Sequence, residues 1–291
     1  MDISSLQAFI AVARNKSFSK ASEHLFITQP AISKRVASLE EELGIQLFSR
    51  VARQISLTEA GKQLLPKAQE LVDQAENMQR YASNLSDEIS GNLSIAIAHH
   101  VGLHRMPPIL REFNLRFSNV NLDIRFEDSE QACASVEQGD IEFAVITLPQ
   151  KPPKNLIKHA IWQDPLSIVV SVDHALAQIN KVTFSDLAQF PSVIPSQETE
   201  THKIIRREFE QRQLSLNVQM QTNNLETLKM LAVAGLGWSL LPQTMLKQQD
   251  HSTEFCVLNL DVALSRELGL VIHRRRSLSN AALALKSLIE N

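Results

Sequence analysis

SFSKASEHLFITQPAISKRVASLEEEL, residues 17–43, is the stretch whose reading decides the fold. It predicts two short helices joined by a tight turn. The first spans roughly Lys20 to Leu25, with Ser19 as its cap. The second spans roughly Pro30 to Glu42, with Thr28 or Gln29 as cap and Pro30 in the first turn, where a missing N–H costs nothing. Ala21 and Leu25 mark an inner face on the first helix. Ile32, Val36, Leu39 and Leu43 recur at helical spacing on the second. Only Phe26 and Ile27 separate the first helix from the caps of the second. This is the pattern of a helix-turn-helix, whose second helix can enter a DNA major groove. Gln29, Ser33 and Lys34 fall on its outward face, and these side chains can read base edges or hold phosphate. Glu40, Glu41 and Glu42 fall at the far end, away from phosphate repulsion. A plain helical hairpin with a solvated polar face would show the same pattern.

Upstream, Leu6, Phe9, Ile10 and Ala13 form the inner stripe of a buttressing helix. Downstream, Gly44 ends the second helix of the pair. IQLFSR and RQISLT, with Val51 and Ala52 between them, predict a small β-hairpin wing with Arg50 and Arg53 near its tip. Arginines there suit phosphate or minor-groove contact, and a solvated turn is the plainer alternative. Thr58 caps a long helix running from Glu59 to about Leu85. Leu64, Ala68, Leu71, Ala75, Met78, Ala82 and Leu85 repeat in steps of four and three, the seam of a coiled coil. A helix of this length cannot bury that seam on sixty residues, so pairing with a second copy is expected; packing on the rest of the chain is the alternative. SDEISGN, residues 86–92, reads as a hinge.

The segments LQAFIAVARNKSFSKAS, TQPAISKRVASLEEELGIQLFSR and LTEAG stand in this order and spacing at residues 6–22, 28–50 and 57–61. On these residues the stretch from Asp2 to about Pro66 resembles the amino-terminal domain of LysR-type transcriptional regulators. The resemblance implies an N-terminal all-α winged helix-turn-helix with a long coiled-coil linker helix, and a C-terminal α/β, two-lobed, periplasmic-binding-protein-like effector domain. The expected boundaries are 1–58 for the DNA-binding domain, 59–91 for linker and hinge, and 92–291 for the effector domain. Within the last, lobe 1 takes 92–163 and 267–291, and lobe 2 takes 164–266. The expected DNA-facing set is Ser17, Ser19, Thr28, Gln29, Pro30, Ser33, Lys34, Arg35, Arg50 and Arg53.

After the hinge, strand and helix signals alternate. Leu93 to Ile97, LDIRF at 122–126 and IEFAVI at 141–146 read as strands. Helices are expected from Pro107 and from Ala132 to Gln138, ended by Gly139. This βαβαβ order predicts a mostly parallel sheet. Past the proline-rich Pro149 to Pro153 the theme repeats, with strands at 166–170, 191–195, 218–222, 238–242 and 268–272. Helices are expected at 201–213, 225–234 and 278–290. The family resemblance implies crossings between lobes near Trp162 to Pro165 and Asp261 to Glu267.

Ligands bind such sheets at the carboxyl ends of strands. That rule points to His99, His100, Val101, Ser129 and Thr147 in lobe 1, and to Ser196, Glu198, Thr199, Thr201, Asn223 and Asn224 in lobe 2. The loop after the first strand commonly carries Ser or Thr in the family; here two histidines stand there. Partly charged histidines and a helix start with hydroxyl donors predict a polar or anionic effector, bound more tightly as pH falls.

At 291 residues, two or three domains are expected. Net charge is −3, so attraction to DNA must be local: residues 14–53 hold seven basic residues against four glutamates. No targeting segment opens the chain and no apolar run has membrane-spanning length, so the chain reads as cytoplasmic. Cys133 and Cys256 are too few and too far apart for a disulfide framework or a metal spacing. His99, His100 and His104 lack a Cys or a convincing acid partner, so no metal and no cofactor are expected. GxSxG, HExxH, P-loop and GxGxxG motifs are absent, so no enzyme is expected. A solute-binding protein fused to a helical module is the competing class. Arg274, Arg275 and Arg276 read as a solvated edge. The partners implied are double-stranded promoter DNA, a small polar or anionic effector, a second copy in a homodimer or homotetramer, and RNA polymerase; no membrane partner is implied.

Overall fold

The computed structural model describes residues 1–51, 54–86, 88–246 and 254–291. The chain divides into two compact units. Residues 1–87 with 275–277 form the first; 88–274 with 278–291 form the second.

In the first unit, α1 (Ile3–Asn15) packs across α2 (Phe18–His24) and α3 (Gln29–Leu43). Asp2 caps α1 by accepting from Ser5 N at 2.7 Å. Phe9, Phe18, Ile32, Val36, Leu39 and Leu47 fill the core. The cap of α2 is Ser17 and not Ser19: Ser17 Oγ accepts from Lys20 N, and the helix begins two residues earlier than its polar pattern suggests. Phe18 is the reason. Its ring is buried against Phe48, which draws residue 18 into the helix. Thr28 occupies the N-cap of α3 without a side-chain capping bond, and Gly44 closes that helix in the left-handed conformation at φ 68°.

Glu40 is not a solvated end charge. It is buried, and its carboxylate accepts from Leu47 N at 2.6 Å and Phe48 N at 3.1 Å, tying α3 to the next segment. There β1 (Phe48–Val51) pairs antiparallel with β2 (Gln54–Leu57). Thr58 then caps α4 (Glu59–Ser83), accepting from Gly61 N at 3.0 Å and donating to Gln46 O at 2.7 Å. A Cβ on Gly61 would stand 2.2 Å from Leu47 O, so the glycine of LTEAG sets how closely α4 approaches the wing. Arg276 also belongs to this unit: it donates to Asp73 of α4 at 2.8 Å and is not part of a solvated edge.

The second unit opens with β3 (Gly91–Ile97), α5 (His99–His104), α6 (Met106–Arg116), β4 (Val120–Phe126), α7 (Ser129–Gln138) and β5 (Phe143–Thr147). β3 lies between β4 and β5, parallel to both. The largest departure from the expected elements comes next. β6 (Leu156–Ser171) is one strand of 16 residues, where the pattern suggested only its second half. It then leads through α8 (Phe184–Leu187), β7 (Ser192–Ile194), α9 (Glu200–Gln211), β8 (Val218–Gln221), α10 (Leu225–Val233), β9 (Ser239–Pro242), β10 (Phe255–Val257) and β11 (Leu264–His273) to α11 (Asn280–Glu290).

β11 runs antiparallel to β6 from Leu264↔Leu166 to His273↔Leu156. The crossings between lobes are therefore the middle of a paired ribbon, not loops. The ribbon joins one continuous sheet in the order β10-β6-β11-β5-β3-β4, with β9 also on β6, and β7 pairs parallel with β8. Leu93, Ile95, Phe143, Leu270 and Leu285 build one lobe's core; Ile168, Phe184, Phe209, Trp238 and Leu240 build the other's.

Candidate nucleic-acid interface and ligand cleft

The outward face of α3 is open. Thr28, Gln29, Pro30 and Lys34 are exposed, and Ser33 and Arg35 are half-buried. Gln29 Nε2 donates to Ser33 Oγ at 3.2 Å, so the two polar side chains stand one helical turn apart on one side. Ser19 is exposed on α2; Ser17 is half-buried and spent on capping. Arg50 falls in β1, but its side chain and all of Arg53 lie outside the described residues. One residue was not anticipated. Phe26, in the turn before α3, is 95% exposed and holds φ 53°, a strained conformation for a bulky side chain.

The expected seam of α4 divides. Ala68 is buried and Leu64 half-buried against the unit's own core. Leu71, Met78 and Leu85 are 41%, 72% and 71% exposed, with Ala82 exposed and Ala75 half-buried. Leu85 lies just past the helix end. The lower seam thus serves the monomer, and the upper seam leaves an apolar stripe open.

In the second unit a cavity of about 410 Å³ lies at the carboxyl ends of β3, β4, β5, β7 and β8. Of the anticipated residues, His99, His100, Ser129, Thr147, Thr199, Thr201, Asn223 and Asn224 line it. Val101 does not; it is fully buried in the lobe core. Ser196 and Glu198 do not either, since Ser196 Oγ donates to Asn223 Oδ1 at 2.7 Å and Glu198 is exposed. Ala98, Leu103, His104, Glu127, Asp128, Glu130, Pro195, Glu200, Thr222, Leu225, Glu226, Met245 and Arg266 complete the lining.

The floor is a buried charged cluster. Arg266 Nε donates to Asp164 Oδ2 at 2.8 Å, and its Nη1 donates to Thr201 Oγ1 at 2.8 Å. His100 Nε2 lies 3.5 Å from the same Asp164 oxygen and 3.3 Å from Thr244 Oγ1. Burial lowers the His100 pKa, and the Arg266 charge adds to that, while Asp164 opposes it. Burial by itself would raise the Asp164 pKa. The hydrogen bond from His100 and the charge of Arg266 overcome it and hold the carboxyl below its ordinary range. The shift favours the neutral form of His100, against the partly charged histidine expected at that position. His99 is exposed and stacks on Phe126, with ring centroids 5.4 Å apart.

The hydroxyls expected to hold a ligand are also engaged. Thr199 caps α9, accepting from His202 N and donating to Ser196 O at 2.8 Å. Thr201 accepts from Arg266. Asn223 crosses the cleft, donating to Asp128 Oδ2 at 2.7 Å. On α7, burial pushes the Cys133 thiol up to about 12, aided by Glu130, Glu137 and Glu200, so it is no thiolate near neutral pH. Among the described residues no His/Cys/Asp/Glu cluster could hold a metal ion, and no helix is long and apolar enough to cross a membrane.

Two family models match this architecture. Residues 3–62 match the bacterial regulatory helix-turn-helix protein, lysR family, and residues 86–291 match the LysR substrate binding domain. The chain is 28% identical over 286 residues to an uncharacterised HTH-type transcriptional regulator, YfeR of Shigella flexneri, covering 98% of this chain and 92% of that protein. Among solved structures it is similar to a full-length OxyR variant from Pseudomonas aeruginosa, at 20% identity and TM-score 0.71, covering 99% and 94%. It is also similar to full-length CbnR complexed with its target DNA, at 17% identity and TM-score 0.59, covering 99% of both chains. With one model spanning most of the chain behind the helix-turn-helix that precedes it, the protein belongs to the LysR family: it is a DNA-binding transcriptional regulator with an effector-binding domain.

Proposed function

We propose that the chain acts as a homodimer, assembling further to a tetramer, on an inverted-repeat promoter site in the cytoplasm. A small polar molecule in the cleft adjusts its conformation and so its action with RNA polymerase. The observation that carries this reading is the open polar face of α3 in the same unit as the uncovered apolar stripe Leu71, Met78 and Leu85. Two copies joined along that stripe present two recognition helices to half-sites about one helical turn apart. The similarity to CbnR, whose solved complex contains its target DNA, supports the same reading.

Two experiments test it. Ser33→Ala and Lys34→Ala are expected to weaken specific operator binding by roughly 1–3 kcal/mol for each lost base contact. Fluorescence anisotropy against operator and scrambled duplexes checks this, and a folded double variant with unchanged operator affinity would falsify the assignment of α3. Leu71→Asp is expected to dissociate the dimer, because it buries a charge against its own copy. Operator affinity then falls by at least tenfold, about 1.4 kcal/mol. An intact dimer of this variant in sedimentation would place the interface elsewhere.

A further inference from the structure

We propose that the effector is a cationic, amine- or guanidinium-bearing small molecule, recognised by the carboxylates Asp128, Glu130 and Glu226 around a cleft floored by buried hydrogen-bond acceptors. The proposal rests on the reading of this cavity as the effector site, and it departs from the anion that the helix starts and histidines suggest in sequence.

Helix amino termini favour anions, and four helices, α5, α7, α9 and α10, begin at the cleft. The three longer ones each already hold an acid in the first turn, Glu130 on α7, Glu200 on α9 and Glu226 on α10, while the six-residue α5 holds none. The protein thus supplies its own anion at the three longer helix starts, where a ligand carboxylate would seek one. Asp128 and Glu127 add two more carboxylates to the lining. Among the described lining residues one guanidinium stands against these, Arg266, bonded to Asp164 and Thr201. Lys203 reaches Glu200 at 2.9 Å and neutralises that acid, which leaves Glu130, Asp128 and Glu226 as the acidic wall.

A second observation points the same way and does not depend on the acidic residues of the wall. The His100 side chain lines the cavity and is 7% exposed. With its proton on Nε2, toward the Asp164 carboxylate 3.5 Å away, Nδ1 is left as a bare acceptor. Among the described residues that Nδ1 has no hydrogen-bond partner, and neither has Oδ1 of the wholly buried Asp164. A buried acceptor without a donor is costly. Both the wall and the floor therefore ask for donors, and an ammonium or guanidinium carries donors and no acceptor. A dicarboxylate would add charge to a wall already negative and would find the Thr199 hydroxyl proton already given to Ser196 O. Leu103, Leu225 and Met245 offer apolar surface to a carbon chain between polar ends.

The experiment uses the full-length protein and probes matched in length. Butylamine, butane-1,4-diamine and 4-guanidinobutylamine are compared with butane-1,4-diol and butanedioate by calorimetry and by thermal unfolding of the effector domain. At least one amine is expected to bind and raise the unfolding temperature, while the diol and the dioate do not. In the Glu130→Gln/Glu226→Gln variant, with the fold checked by circular dichroism, amine affinity is expected to fall at least tenfold. Binding of butanedioate in place of the amines, no binding by any amine in large excess, or an amine effect unchanged in the variant each overturns the proposal. Operator affinity measured in parallel without probe separates the outcomes. Protein that binds its operator but no amine loses only the ligand assignment; protein that binds no operator loses the regulator reading while the calorimetry still reports on the cleft.

Discussion

Gly269→Ala is expected to unfold the effector domain at a temperature roughly 8–16 °C below the parent, the shift produced by a loss of about 4 kcal/mol in a domain of this size. The cause is space and not backbone freedom. β11 meets β6 at a bulge, where the register shifts between Leu268 and Gly269: Leu268 faces Trp162 and Gly269 faces Ala160, with Ile161 as the extra residue. A Cβ on Gly269 would stand 2.0 Å from His159 O and 3.0 Å from Ile161 N. Both are backbone atoms of a paired strand, so neither can swing aside as a side chain tip would. The ribbon must open at the point where it passes between lobes. Gly44→Ala is the matched control. Gly44 sits at φ 68° with none of the described residues within 4 Å of a Cβ, so its substitution costs about 1–2 kcal/mol of left-handed strain and no clash with them. Thermal unfolding of the two variants, followed by hydrogen exchange at the ribbon, checks the ordering. If Gly44→Ala proves the more damaging, the close approach at Gly269 does not hold the ribbon.

That ribbon also shows where sequence reasoning stops. Residues 156–165, LIKHAIWQDP, mix charge, histidine and proline with apolar residues and carry no clean alternation. Their strand character comes from a partner a hundred residues later, and local pattern holds no record of that pairing. The helix-turn-helix was legible for the opposite reason. Its core residues Ala21, Ile32 and Val36 lie within one short segment, so helical spacing alone exposes them. Even there the cap moved from Ser19 to Ser17. Two serines two residues apart compete equally in sequence, and the burial of Phe18 decides between them.

The cleft was half legible. Strand ends followed by helix starts pointed to His99, Ser129, Thr147, Thr199 and Asn223, all of which line the cavity. Missed were Glu130 and Glu226, first-turn acids that look like ordinary helix-dipole partners in sequence. Missed too was the floor. Asp164 and Arg266 are separated by 102 positions and meet only because β6 and β11 pair along their length. The one local signal was an arginine set inside the apolar strand LSRELGLVI. A buried charge in such a strand calls for a buried partner.

Arg266→Met accordingly removes one member of a buried pair and leaves the other. Met fills a similar volume, so packing changes little, but Asp164, wholly buried, loses its cation. Breaking a buried pair in this way is expected to cost about 3–5 kcal/mol near neutral pH. The pH dependence separates charge from packing. In the parent, Asp164 and His100 both have lowered pKa values, so the folded protein binds fewer protons than the unfolded chain. Stability is then lost on acidification, first as pH falls below the ordinary histidine value of 6.5 and again as it falls below the ordinary aspartate value of 3.8. In Arg266→Met the carboxyl has lost the charge that held its pKa down. Asp164 protonates at higher pH, and in neutral form it tolerates burial. The gap between parent and variant is therefore widest near pH 7.5 and narrows as pH falls toward 4. Asp164→Asn added to Arg266→Met is expected to recover part of the loss at pH 7.5, because no unpaired charge remains. Urea unfolding at the two pH values checks all three statements. A penalty of equal size at both, with no recovery in the double variant, would assign the loss to packing around residue 266 and not to the ion pair beneath the cleft.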